Sequence, residues 1–337
     1  MLNMYMILFY TTMILGTFIA VTANSWLITW TGLEINLLAF MPLMSQLNNK
    51  QSTEATIKYF LIQAMASATF LFGSTIYTIT NQSNYITIES INSMTIFLAI
   101  MLKIGMTPFH FWLPEVTAGS SWKNNFIILT WQKLAPMMII YNLMPNIMIM
   151  MIIIMISSIT SGIQGLNQTC LRKIMAYSSI NHSSWMLSAM MISLSLWMCY
   201  FIIYLSINFV IIYMMSLYNS NNIKQLNNLL MNNKLLKISF LANFLNLGGL
   251  PPFIGFLPKW LTISSLTENK LELLGFMLII FTLVSLYFYI RIIMTTLSTN
   301  SEELLINNLP KINYPQTMMN TTLILSLSIF TLFINYL

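Results

Sequence analysis

The chain has 337 residues, of which 57% are hydrophobic and only 7% are charged. Soluble domains carry about 25% charged residues, so this composition excludes a soluble globular protein and predicts an all-α polytopic membrane protein. The net charge of +6 therefore bears on orientation in a membrane rather than on nucleic-acid binding. Met is abundant, Gly is scarce and Asp is absent, a mix typical of an organellar gene of skewed base composition. Two cysteines, Cys170 and Cys199, support neither a disulfide framework nor a zinc or iron–sulfur site.

At about 20 apolar residues per span, the hydrophobic pattern predicts eleven transmembrane helices. Their approximate limits are 4–23, 25–46, 54–77, 92–118, 124–143, 145–164, 171–192, 194–218, 236–267, 272–296 and 316–336. The first stretch, Met1–Asn24, lacks the basic flank and cleavage site of a signal peptide, so we expect it to be the first membrane helix. Segments 92–118 and 236–267 are longer than a simple span, as two half-helices with an unwound middle would be.

These two long segments share one pattern of glycines and prolines. The first contains Gly105, Pro108, Phe109, Leu113, Pro114 and Glu115, and 144 positions later the second contains Gly249, Pro252, Phe253, Leu257, Pro258 and Lys259. Pro108 and Pro252 each remove a backbone donor and clash with the preceding turn, so we predict a helix break at both. In lipid, such breaks are tolerated only where protein or water satisfies the freed backbone groups. Paired broken helices are typical of the central site of a transporter with inverted repeats.

Basic residues are concentrated in the loops that follow even-numbered predicted helices. These loops carry Lys50, Lys123, Arg172, Lys173, Lys224, Lys234, Lys237 and Lys311, whereas the odd loops carry only Lys270. The positive-inside rule places the even loops and the N-terminus on the cytoplasmic or matrix side, with the C-terminus opposite. We therefore expect a five-helix unit at 1–144, a second, inverted five-helix unit at 145–297, and a loop with a final helix at 298–337.

Five ionisable residues are predicted at the middle depth of the membrane: Glu34, Lys103, Lys133, His182 and Lys259. At 1.5 Å per residue, each lies about 13–15 Å from a helix end, near the centre of a core about 30 Å thick. A buried charge there costs at least about 2.5–3.5 kcal/mol, so such residues are usually functional. The row suits stepwise proton transfer, because protonation of one group changes how strongly its neighbour holds a proton. Histidine titrates near neutrality and could join the two halves.

Structural interpretations of the same residues stay open. Lys259 could anchor a half-helix by snorkelling, His182 could be only an interhelical hydrogen-bond donor, and Glu34 with Lys103 could be a static ion pair. Elsewhere we expect a surface pair between Glu54 and Lys58, a snorkelling end residue at Arg291, and rim or packing roles for His110 and Glu115. The sequence contains no Gly-rich phosphate loop and no nucleophile–base–acid set, so we expect no redox or hydrolytic chemistry in this chain.

Four stretches carry a resemblance to a known family: Thr31–Pro42, Trp131–Pro136, Ala176–Trp185 and Gly248–Trp260. In this order they resemble the chain 2 family of NADH–ubiquinone oxidoreductase. Members of this family are mitochondrially encoded, antiporter-like subunits of respiratory complex I. The resemblance spans nearly the whole chain, and the composition favours an insect-like source. It implies that Glu34 is the family's key glutamate paired with Lys103, that Lys133 is its central lysine, and that Lys259 is its broken-helix lysine.

The resemblance also implies a location and partners. The chain is expected in the mitochondrial inner membrane, among other membrane subunits of the complex, further antiporter-like chains and lipids, not as a free homo-oligomer. Flavin, iron–sulfur clusters and quinone are expected in other subunits, with no cofactor or metal here. Related subunits have fourteen helices, so eleven would mean that the first three are absent and that a surface is exposed for other subunits.

The two predicted units are not chemically equivalent, because at the repeat offset Lys103 corresponds to Leu247 and Lys133 to Met277. Two other functions remain possible at this point. One is a freestanding cation/proton antiporter, against which the lack of Asp and the complex-specific motifs argue. The other is a membrane scaffold whose charges only hold an assembly together.

Overall fold

The computed structural model describes residues 4–45, 49–81, 86–143, 145–223, 225–226 and 234–298. Within these ranges the chain is helical apart from connecting loops and an isolated bridge between Cys170 and Asn222. The helices are α1 (Met4–Thr22), α2 (Trp26–Met44), α3 (Lys50–Asn81), α4 (Ile86–Ile104), α5 (Trp112–Gly119), α6 (Trp122–Leu129), α7 (Trp131–Leu143), α8 (Ile147–Leu166), α9 (Leu171–Ile192), α10 (Leu194–Tyr218), α11 (Lys234–Gly248), α12 (Phe256–Glu268) and α13 (Glu272–Ser298).

Seven helical stretches in the described ranges are long and apolar enough to cross a membrane. They are Met4–Thr22, Trp26–Met44, Lys50–Ile79, Trp122–Leu143, Ile147–Leu166, Leu194–Tyr218 and Glu272–Thr295. Four predicted spans are not among these seven. Two are the interrupted segments, whose separate helices are shorter or more polar than a full span, and one is the serine-rich α9. The fourth, 316–336, lies outside the described residues. The polytopic helical fold is thus present, whereas the total of eleven spans and the inversion of the second unit stay predictions.

The chain divides into two compact units, Met1–Ile156 and Ser157–Leu337. In the first unit, small residues bring α1 and α2 together: a Cβ added to Gly32 would lie 2.6 Å from the backbone nitrogen of Ala20. Such close approach through small residues is the usual way that membrane helices associate. Helix α4 packs against α3 and α7 in the same unit. This packing places Lys103, in the last turn of α4, next to α3 and α7.

The second unit is organised around α9. Every residue from 174 to 190 is buried, and α9 contacts α10, α12 and α13. A helix that is buried on all sides can contain polar residues if their polar groups are hydrogen-bonded. Serines along α9 donate to backbone carbonyls of the preceding turn, as the hydroxyl of Ser184 does to the carbonyl of Asn181 at 2.6 Å. The polar motif Ala176–Trp185 therefore lies inside the unit.

The predicted helix 124–143 is wrong in one respect, since the structure divides it at Thr130 into α6 and α7. Thr130 departs from helical geometry, with φ −120° and ψ −71°, and its hydroxyl donates to the carbonyl of Phe126 at 2.5 Å. Pro136 lies inside α7, where it removes a backbone donor to Gln132, six residues after the interruption rather than at it.

The two long segments are interrupted as their glycines and prolines predict. Helix α4 ends at Ile104 and α5 begins at Trp112, while α11 ends at Gly248 and α12 begins at Phe256. Each first helix is followed by a glycine with positive φ, 77° at Gly105 and 76° at Gly249. This is the usual C-terminal glycine cap, in which the left-handed conformation disfavours other residues. The helix therefore ends at the glycine, three residues before Pro108 or Pro252.

Backbone hydrogen bonds repeat at the same offset. The amide of Met106 donates to the carbonyl of Met101 at 3.1 Å, and that of Leu250 donates to Leu245 at 3.4 Å. Further along, Phe109 and Phe253 each donate to the residue three positions earlier, at 2.8 and 3.0 Å. The repeat seen in the sequence is thus also a repeat of local backbone structure.

Candidate functional site

A small polar cavity in the first unit contains two of the predicted residues. Lys103, in the last turn of α4, is 6% exposed, and Lys133, in the first turn of α7, is 1% exposed. Both line a cavity of about 20 Å³. The lining residues are Leu33, Asn36, Leu37, Tyr59, Gln63, Lys103, Ile104, Trp112, Ile128, Gln132, Lys133 and Pro136.

Three amide side chains line this cavity, and their hydrogen bonds hold the surrounding helices together. The Nε2 of Gln132 donates to the Oδ1 of Asn36 at 3.0 Å, which ties α7 to α2. The Nε2 of Gln63 donates to the carbonyl of Lys103 at 3.1 Å, one of the carbonyls freed where α4 ends. A cavity needs about 10–15 Å³ and two to four polar partners to hold one water. The cavity has both, so a water there can carry a proton between the two lysines.

Glu34 lies beside this cavity on α2 rather than in its wall. Its neighbours Leu33 and Asn36 line the cavity, and Glu34 itself is half-buried. It lies near enough to Lys103 for their charges to interact. Among the described residues an ion pair joins Lys58 to Glu115, whereas the static pairing of Glu34 with Lys103 stays a prediction. Glu34 can act on Lys103 through its field without holding it in place.

Lys259, in the first turn of α12, is buried at 7% exposure. Its Nζ donates to the carbonyl of Gly248 at 2.8 Å and to that of Leu247 at 3.3 Å, at the end of α11. The same Nζ lies 6.0 Å from the ring centroid of Trp185. The snorkelling interpretation is therefore wrong, because the ammonium is directed to the break inside the second unit. A cation at a helix C-terminus is stabilised by the carbonyl dipoles.

His182 lies on α9 and is 6% exposed. Its Nδ1 is 2.9 Å from the hydroxyl of Tyr200 on α10, and its ring lies 5.0 Å from that of Tyr204, between centroids. Next to it, the Nδ2 of Asn181 donates to the hydroxyl of Ser285 on α13 at 3.0 Å. The interhelical hydrogen-bond interpretation of His182 is confirmed. A proton-transfer role for the same residue stays a prediction.

Two surface predictions need correction. Lys58 pairs with Glu115 of α5 at 2.7 Å, not with Glu54, because α5 packs against α3 and brings the Glu115 carboxylate to the Lys58 ammonium. Arg291 does not simply snorkel: its guanidinium donates to the backbone carbonyls of Leu166 and Gln168 beyond the end of α8. His110 is buried, at 3% exposure, which fits the packing role expected of it.

The three buried lysines share a position beside a helix interruption, which the sequence predicted for Lys103 and Lys259 but not for Lys133. Lys103 precedes the first break, Lys259 follows the second, and Lys133 follows the interruption at Thr130. Interrupted helices leave backbone groups to be satisfied by side chains or water, so each lysine lies where a polar environment is already required. The amides of Asn36, Gln63 and Gln132 were missed, although an amide inside an apolar span is itself a sign of interhelical hydrogen bonding.

Comparison with known proteins agrees with this arrangement. Residues 23–287 match the family described as NADH:quinone oxidoreductase/Mrp antiporter, transmembrane. The NADH-ubiquinone oxidoreductase chain 2 of Anopheles gambiae is 46% identical over 283 residues, which cover 83% of this chain and 82% of that protein.

Two solved structures share the fold. A chain of respiratory complex I from Thermus thermophilus superposes with a TM-score of 0.85 at 21% identity, covering 96% of this chain and 77% of its own. A chain of the Mrp complex from Dietzia superposes with a TM-score of 0.76 at 15% identity, covering 84% and 59%. The family model matches most of this chain, and an insect protein is 46% identical to it over most of both chains. The chain therefore belongs to the NADH:quinone oxidoreductase/Mrp antiporter family of membrane proteins.

Proposed function

We propose that this chain is an antiporter-like membrane subunit of proton-translocating NADH:ubiquinone oxidoreductase, respiratory complex I, and that it relays protons through its buried ionisable residues. The observation that carries the proposal is that Lys103 and Lys133 are buried on one water-sized polar cavity. The shared polar cavity supplies a route for a proton between the two amines. The similarity to the Anopheles gambiae protein supports membership of the complex.

In this proposal the cavity transfers one proton at a time. The ammonium of one lysine gives its proton to a water in the cavity, and the neutral amine of the other takes a proton from that water, so charge is conserved. Glu34 sets the direction, because its charge favours the protonated form of Lys103 and its protonation removes that preference. Lys259 and His182 continue the relay in the second unit. Each step depends on the protonation of the neighbouring group.

The chemistry of this chain is then translocation without redox reactions. Flavin, iron–sulfur clusters and quinone belong to other subunits, and their electron transfer drives the proton movement here. We place the chain in the mitochondrial inner membrane as a multi-pass subunit, with its N-terminus on the matrix side and its C-terminus on the intermembrane-space side. The glycine caps and backbone hydrogen bonds that recur at both breaks support two repeats. Five spans in each unit would invert the second, as in transporters with a central site.

Mild-detergent purification separates this proposal from a freestanding antiporter. The chain would be isolated through an affinity tag at its C-terminus, and its companions identified by mass spectrometry. Co-purification with NADH-oxidising activity and with further antiporter-like subunits is the expected result. A sample that contains only this chain, alone or as a homo-oligomer, would instead establish the cation/proton antiporter. Turnover that survives removal of the buried charges would leave the chain a scaffold.

A further inference from the structure

The second break differs from the first in how its freed carbonyls are satisfied. At the first, neutral groups donate: the Nε1 of Trp112 to the carbonyl of Leu102 at 3.1 Å, and Gln63 to that of Lys103. At the second, a single ammonium, that of Lys259, donates to the carbonyls of both Leu247 and Gly248. The glycine caps and the backbone hydrogen bonds that follow them recur at both breaks, although among the described residues only the first break contains a cis peptide, at Thr107–Pro108. The donors to the freed carbonyls differ as well.

Gly249 makes this arrangement possible. A Cβ at position 249 would lie 2.8 Å from the Cδ of Lys259, 2.9 Å from its Nζ and 3.1 Å from its Cε. Contacts below 3.0 Å are essentially never made by real Cβ atoms, so with any other residue at 249 the flexible end of the lysine would have to shift. The positive φ of 76° also favours glycine here. Gly249 is therefore favoured both by the backbone and by the lysine that lies against it.

A second side-chain contact crosses the same break, from α11 to the residue before α12. The backbone nitrogen of Gly255, just before α12, donates to the Oδ1 of Asn246 in α11 at 2.7 Å. Two side chains thus join the half-helices. Asn246 of α11 accepts a hydrogen bond from the backbone just before α12, and Lys259 of α12 donates to carbonyls at the end of α11. At the repeat offset, Asn246 corresponds to Leu102 and Lys259 to Glu115, so the first break has no equivalent pair of links.

We propose that Gly249 is a positioning residue, which allows the Lys259 ammonium to dock on the carbonyl end of α11 and so to close the second break. A charged donor bonds two carbonyls more strongly than a neutral one, and the C-terminal end of the helix attracts positive charge. When Lys259 moves away from this end, the carbonyls of Leu247 and Gly248 must find other donors. The geometry of the break is therefore linked to the position of this one amine.

The first break supplies a matched control for the test. Gly105 has the same φ, at 77°, and a Cβ there would meet the Cδ1 of Leu113 at 2.9 Å and the Cζ2 of Trp112 at 3.1 Å. Gly105→Ala and Gly249→Ala thus impose the same backbone strain and each push against a flexible side chain. Only Gly249→Ala pushes against a lysine.

Cryo-electron microscopy of the assembled complex carrying each variant measures the docking directly. In Gly249→Ala we expect the Lys259 Nζ to lie beyond hydrogen-bond distance of the Gly248 carbonyl, and in Gly105→Ala to remain there. Retention of this bond in Gly249→Ala would overturn the positioning role. If Gly249→Ala does not accumulate, Gly249→Asn and Gly105→Asn replace the pair, because asparagine tolerates the left-handed region while still presenting a Cβ.

Turnover of the same samples tests a separate claim, which rests on the proposed relay through Lys259. NADH-driven proton translocation should fall about tenfold or more in Gly249→Ala relative to the unaltered complex, since a misplacement of about 1 Å at a reacting group can cost up to about a hundredfold. A displaced Lys259 with unchanged translocation would support the docking and contradict the relay role of this lysine. A docked Lys259 with reduced translocation would contradict the docking role of Gly249 instead.

Discussion

Lys133 offers the sharpest separation of a proton relay from a structural charge. Lys133→Met removes the ammonium but keeps an unbranched side chain of similar shape, whereas Lys133→Arg keeps a positive charge. The guanidinium stays protonated in proteins, so it cannot release a proton at neutral pH. The relay requires both variants to fail. A fixed structural charge requires Arg to function and Met to fail.

The structure sets the magnitudes. Lys133 is 1% exposed, and removing one partner of a buried polar contact costs about 1–3 kcal/mol. Lys133→Met should therefore lose some stability, and its turnover is expressed per assembled complex. Arg is bulkier, and the adjacent cavity of about 20 Å³ gives it little room, so Lys133→Arg should cost about 1–3 kcal/mol by overpacking. Loss of a positioned proton carrier typically costs about 10²–10⁴-fold in rate, far more than either packing change explains.

The assay is NADH:ubiquinone turnover per assembled complex, with assembly quantified on native gels and by thermal unfolding. We expect turnover of both variants to fall by at least about a hundredfold while assembly is retained. Near-normal turnover of an assembled Lys133→Arg complex would end the relay assignment. Lys133 would then be a structural charge.

Three further predictions use other parts of the chain. Tyr200→Phe removes the hydroxyl that bonds His182 and should lower the free energy of unfolding by about 1–3 kcal/mol, because the buried Nδ1 of His182 loses this hydrogen bond. Tyr287→Phe, at an exposed tyrosine, is the control. Equal melting temperatures of the two variants would contradict the assigned bond. Glu115→Gln breaks an exposed ion pair and should leave the melting temperature unchanged, so a clear decrease would refute its surface character. Trypsin should cleave the loop at 219–237 only from the matrix side, and cleavage from the intermembrane space would reverse the proposed orientation.

Regular features of the fold could be predicted because they depend on local physics. The limits of α9 and α10 are those predicted, 171–192 and 194–218, since apolar length and the serine that caps α10 both act within the segment. The helix breaks were equally accessible, because glycine and proline act on the backbone next to them. The interruption at Thr130 was missed, since neither glycine nor proline marks the position itself.

Contacts between distant residues could not be predicted from spacing. Lys58 has a carboxylate four residues earlier, yet it pairs with Glu115, 57 positions away, because α3 and α5 pack together. Asn36 and Gln132 meet across 96 positions. The depth count predicted only that Lys103 and Lys133 lie at a similar depth. It could not show that a polar cavity joins them, since a cavity arises from the packing of several helices.

In the proposed relay, the lysines on this cavity carry protons that electron transfer drives. NADH-driven acidification of proteoliposomes that contain the assembled complex with Lys103→Met measures this transfer. Lys58→Met is the matched control, because Lys58 is exposed and lies outside the cavity. We predict that proton translocation and electron transfer both collapse in Lys103→Met and stay near normal in Lys58→Met. Full translocation by an assembled Lys103→Met complex would contradict the account.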